Sequence, residues 1–193
     1  MYHITPETAA DHWEVEALYD TCFAPGREAL SSYRLRDGVP PVAGLNHVAR
    51  DAGGILAGAI RYWPICIGAH AALLLGPVAV HPTRQGEGLG ALLIEGSLAQ
   101  AAPLGWSRVM LVGDAPYYNR FGFTLLTDVV MPPPTNPERV LGRALVDGAW
   151  EGITSDRWIS FTEENIFQDI PKNIESVGLG WDHGERPGSS VCY

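Results

Sequence analysis

Gln85-Gly86-Glu87-Gly88-Leu89-Gly90-Ala91 is the stretch of this chain whose residue types and spacing can do chemistry. Glycines alternate at 86, 88 and 90, just where an apolar helical run begins. Lacking side chains, they let the backbone come close to a bulky anion, and their N–H groups can point into one concavity. The positive end of the opening helix adds to the attraction. Such a turn suits a pyrophosphate. A simple turn would not need all three glycines, since each one inside a helix costs roughly 1 kcal/mol relative to alanine. No Gly-x-x-x-x-Gly-Lys-Ser/Thr is present, which excludes a P-loop. The rival is a dinucleotide fingerprint, because Gly86, Gly88 and Ala91 satisfy Gly-x-Gly-x-x-Ala and Asp114 closes the next strand. Against it, His81 to Gln85 separate the strand from the first glycine. Asp114 also lies 28 residues beyond Gly86, longer than the usual interval of about 20.

Several elements must deliver that turn. Asn46 to Asp51, Ile55 to Ile67 and Ala71 to Val80 read as three strands joined by short turns, an antiparallel meander. Leu89, Leu92, Leu93 and Leu98 then take up helical spacing until Pro103, and Val109 to Val112 is a short buried strand. Strand, helix and strand in that order imply a right-handed crossover between parallel strands. Ahead of the meander, Ala9 to Phe23 forms an amphipathic helix, with Trp13, Ala17, Leu18 and Cys22 on its apolar side and Asp11, Glu14, Glu16 and Asp20 opposite. Arg27 to Arg36 forms a second, shorter helix. Phe123 to Val130 and Val140 to Val146 add a final hairpin across the loop Met131 to Pro137. The predicted fold is α/β (α+β), a mixed but mostly antiparallel sheet with helices on both faces. Residues 1–155 make one domain, and 156–193 an apolar-rich extension that packs on the domain or on a partner subunit.

Composition bounds the rest. Hydrophobic residues make up 46% of the 193 and charged residues 18%, enough for one packed core. A formal net charge of -9 argues against nucleic acid as a partner, since such binders present a basic face. Cys22, Cys66 and Cys192 are far apart, which favours neither a disulfide framework nor a cysteine-held metal. Residues 1–8 carry no signal pattern, and Ile65 to Val80 is too short and too interrupted to span a membrane. A cytoplasmic protein without a metal is the expectation.

Two motifs together bring a family into view. Gln85 to Gly90 is similar to the Gln/Arg-x-x-Gly-x-Gly/Ala signature of the GNAT superfamily of N-acetyltransferases, and a strand with Val78 and Val80 and a Val-His-Pro bend precede it. About thirty residues on, Tyr117-Tyr118-Asn119-Arg120-Phe121-Gly122-Phe123 resembles the family's second signature, a tyrosine on a short helix ahead of Gly-Phe. The resemblance spans roughly Met1 to Gly152 and is nearest a bacterial subgroup of predicted acetyltransferases.

That resemblance implies acetyl-CoA as acyl donor and a small-molecule or peptide amine as acceptor. It implies that the pyrophosphate lies on the N–H groups from Gly86 to Ala91, Leu89 included, with Gln85 leading in. The pantetheine arm would pair with the backbone of Val78 and Val80. Tyr118 aligns with the tyrosine that donates a proton to the departing thiolate, with Tyr117 as fallback. A phenol with a free pKa near 10 stays protonated at neutral pH and can serve. The asparagine many members carry before that tyrosine is absent, since Gly113 to Pro116 is a compressed connection. No base is evident: Leu73 to Val80 holds no Glu or His, and His70 and His81 only flank it. The acceptor wall should come from Ala24 to Asp37 and the final hairpin. A CoA-binding module without turnover and, more distantly, a nicotinamide-dependent oxidoreductase stay open, as does a homodimer built through the extension.

Overall fold

A computed structural model describes residues 1–23, 26–36 and 38–154. The extension from 156 on lies outside the described residues. Seven strands form one sheet: β1 (His3–Pro6), β2 (His47–Arg50), β3 (Leu56–Ile67), β4 (His70–Val80), β5 (Arg108–Val112), β6 (Thr124–Leu125) and β7 (Val140–Ala144), in the order β1-β2-β3-β4-β5-β7-β6. Every neighbouring pair is antiparallel except β4 and β5, which run parallel across the crossover helix α3 (Leu89–Ala101). The meander and the crossover are as the sequence predicts. Two features differ. β1 pairs with β2 at the sheet edge, but all four of its residues are exposed, so no apolar alternation announces it. The final hairpin inserts β7 beside β5, and its outer strand shrinks to Thr124–Leu125.

α3 covers one face of the sheet. Leu89, Leu93, Ile94, Leu98 and Ala101 point into a core shared with Ile60, Tyr62, Leu73, Val109 and Leu111. The buried Tyr62 hydroxyl and Ser97 Oγ meet at 2.8 Å, joining helix to sheet. The short helix α4 (Ala115–Tyr118) leads Phe121 and Phe123 into the same core.

The other face carries α1 (His12–Cys22) and α2 (Ser31–Arg34). Asp11 closes the 3-10 turn that leads into α1 by accepting from the Thr8 backbone and hydroxyl, and with Arg50 beside it its carboxyl is held down at about 2. The buried side of α1 is rotated from the one its periodicity predicts. Leu18 and Cys22 lie on it as expected, joined by Val15 and Tyr19, whereas Trp13 is 81% exposed. Glu16, placed on the polar side by the sequence reading, turns inward to bond Arg27 and Arg61. Arg61 comes from far along the chain and Arg27 from the segment after α1, and together they let a carboxylate occupy a half-buried position that a purely apolar count assigns elsewhere.

Candidate active site

β4 and β5 are paired at only two positions, Leu73 with Val109 and Leu74 with Met110. Beyond them β4 runs on to Val80 and β5 to Val112 without a ladder between them, so a gap opens. What faces it follows from register. The His81 N–H donates to Ala57 O on β3, and peptide groups along a strand alternate sides. Val78 and Val80, opposite Ile60 and Gly58, therefore turn their peptide groups away from β3 and toward the gap. The Val80 carbonyl is already met by Gln85 Nε2 at 3.2 Å and Cys22 Sγ at 3.3 Å. What Val80 leaves open to a ligand is its N–H.

The glycine turn follows directly. Arg84 pairs with Asp51 at 2.7 Å, and Asp51 itself accepts from the Gly53 and Ile55 amides, so the β2–β3 turn anchors the loop after β4. Gly86 and Gly88 both have positive φ, at 83° and 80°. A Cβ built at either meets nothing within 4 Å, so the space above them is open. Among the described residues, no peptide N–H from Gln85 to Gly90 has a hydrogen-bond partner, whereas the Ala91 N–H donates to Gly88 O at 3.0 Å. The amides of Gln85 to Gly90 are thus unpaired at the start of a 13-residue helix, with open space over Gly86 and Gly88. Ala91 lies just past that set, and Leu89 contributes only backbone, its side chain being buried in the core.

The rings of Tyr117 and Tyr118 touch edge to face, with centres 5.0 Å apart, and reach different neighbours. The Tyr117 hydroxyl lies 2.9 Å from the point a Cβ on Gly90 would occupy, so it rests on the first turn of α3. The Tyr118 ring lies across Gly113, at the end of β5, where a Cβ would come within 2.3 Å of it. Burial, reinforced by Tyr117, pushes the Tyr118 phenol up to about 12. Among the described residues its hydroxyl has no hydrogen-bond partner.

With this geometry in view, the comparisons with known proteins are specific. A family profile described as an acetyltransferase (GNAT) domain matches residues 43–125, the meander through the second tyrosine motif. An uncharacterized N-acetyltransferase of Escherichia coli strain K12, YhbS, is 28% identical over 155 residues, covering 78% of this chain and 92% of its own. The crystal structure of E. coli YhbS in complex with CoA superposes with a TM-score of 0.72 at 26% identity, over 84% of this chain and 90% of that one. A GNAT family acetyltransferase from Brucella melitensis in complex with acetyl-CoA reaches 0.62 at 26% identity, over 84% and 97%.

Residues 43–125 carry a GNAT acetyltransferase domain.

Within this GNAT domain the remaining residues singled out from sequence fall as follows. His81 holds Thr83 through Nδ1 at 2.8 Å and so shapes the bend ahead of the cradle, while His70 stands exposed at the far end of β4. Arg120 stacks on Tyr117 with Cζ 4.2 Å from the ring centre, on the outer side of the ring that touches α3. Among the described residues, no group of three or more His, Cys, Asp or Glu is placed to hold a metal. None of the described helices is long and apolar enough to cross a membrane. Sequence reasoning missed Cys22, Gly113 and Arg36, which reach β4 or the gap from distant parts of the chain. Gly113 had one signal, a glycine at a strand end directly ahead of a tyrosine helix.

Proposed function

We propose that this GNAT domain moves an acetyl group from acetyl-CoA to an amine by direct attack. The single observation that carries the reading is the row of open amides from Gln85 to Gly90, set beside the gap where β5 leaves β4. A diphosphate would satisfy those N–H groups with charge-assisted hydrogen bonds at the positive end of α3. The Val78 and Val80 N–H groups would meet the carbonyls of an extended pantetheine arm as a strand would. The acceptor's neutral nitrogen then attacks the thioester carbonyl, the C–S bond breaks, and Tyr118 protonates the departing sulfur. The proton the nitrogen loses passes to water. The CoA-bound and acetyl-CoA-bound relatives support the choice of donor.

Calorimetric titration with acetyl-CoA tests the reading. Wild-type protein should bind, and Gly88→Glu should bind at least about 100-fold more weakly with its fold intact, because a carboxylate would enter that open space and repel phosphate. Unchanged affinity in that variant would show that the cradle lies elsewhere. CoA release over a panel of amines separates an enzyme from a module that only holds CoA, since the latter releases none.

A further inference from the structure

The arginines packed between the sheet and α1 and α2 are, with one exception, neutralised. Arg27 pairs with Glu16 at 2.7 Å and Asp20 at 2.8 Å, and Arg61 with Glu7 and Glu16, each at 2.6 Å. Arg36 is as buried as Arg27, 9% exposed, yet it has no carboxylate partner among the described residues. Its Nε and Nη1 are both buried without a hydrogen-bond partner. Two rings hold the guanidinium in place, Tyr33 with Cζ 4.3 Å from its centre and Trp63 with Cζ 5.6 Å from its own. Trp63 adds a third buried donor without a partner, its Nε1. Burial lowers the Arg36 pKa to about 10, against the raising influence of Tyr33 and Tyr19, so the group is still a cation at neutral pH. A buried cation with open donors is unfavourable until an anion meets it.

Its position decides which anion. A Cβ on Gly76 would stand 3.5 Å from Arg36 Nη2, so the guanidinium lies against β4 just past its last pair with β5. Val78, whose peptide group faces the gap, is two residues further, roughly 7 Å along the strand. Ser31 and Thr135 bond through their hydroxyls, joining α2 to the loop ahead of β7 on the same side of the sheet. A cation and three free donors therefore lie within one short carbon skeleton of the place where the thioester would be attacked.

We propose that the acceptor carries a carboxylate beside its amine, and that Arg36, aided by Trp63 Nε1, binds that carboxylate. The proposal rests on the acyl-transfer reading above and narrows its acceptor class to amino acids or short peptides with a free carboxylate. The test has two arms. Acetyl-CoA is first titrated into wild type and Arg36→Gln; both should bind alike, and failure of wild type to bind would overturn the acyl-transfer reading itself. CoA release is then followed with the common α-amino acids, their amides and matching dipeptides. Wild type should favour a free acid over its amide by roughly 10- to 100-fold in kcat/KM. Arg36→Gln should erase that preference mainly through KM, and Arg36→Lys should restore part of it. Faster dipeptides than amino acids would assign the carboxylate to a peptide and uphold the proposal. If acetyl-CoA binds but no acid outruns its amide in wild type, or the preference survives in Arg36→Gln, the proposal falls. The wild-type comparison decides even where a variant fails to fold.

Discussion

Tyr117 and Tyr118 are adjacent in sequence and do different things, because successive residues on a short helix point to different sides. Tyr117 packs on Gly90 with Arg120 over its ring, while Tyr118 lies over Gly113 in a drier place. Replacing Tyr118 with Phe removes a proton donor and leaves the ring, so kcat should fall about 100-fold with acetyl-CoA affinity kept, and Tyr117→Phe should fall much less. The pH sign follows from burial. The active form of an acid is the protonated one, and with a pKa pushed up to about 12 Tyr118 gives up its proton only as pH rises past that value. The rate should therefore climb as the acceptor amine loses its proton and then stay level to about pH 10. A wild-type rate that declines well below that pH would assign the acid to some other group. The tyrosines themselves were visible in the sequence. Which one sits at the end of β5 was not, because that depends on Gly113 admitting a ring.

At the scale of the element, α1 shows how charge can override periodicity. A chain of ion pairs, Glu7–Arg61–Glu16–Arg27–Asp20, fastens α1 to β3 and to the segment before α2. Arg61 is 7% exposed and Glu7 11%, so removing the guanidinium leaves the Glu7 carboxylate buried without compensation. Arg61→Ala should cost on the order of 3 kcal/mol, read as an earlier midpoint in urea unfolding, whereas Arg61→Met should recover part of the packing but not the charge. An equal loss from the exposed Trp13→Ala would contradict the observed orientation of α1. The helix was legible from its spacing, and its full inward side was not. Glu16 and Arg61 are forty-five residues apart, and only the sheet brings them together.

For the whole molecule, the described core closes on itself by residue 154. Ile153 is buried among Ile65, Leu74 and Met110, and Arg108 donates to the Ala149 carbonyl at 2.7 Å. A chain ending after Thr154 should fold and bind acetyl-CoA with the affinity of the full protein; loss of cooperative melting on truncation would make the last segment part of the domain. Sequence by itself determined the meander and the crossover, because alternation, helical spacing and glycine turns are local and repeat over many residues. It also located the glycine turn, since Gly86 and Gly88 permit the left-handed backbone that turn takes. Only the tertiary structure decided that β4 and β5 part after two pairs, that Val78 and Val80 face the opening, and that Arg36 lies beside it uncompensated. Those facts depend on which distant segments compete for the same backbone and the same charge, and contacts of that range leave no period in the chain.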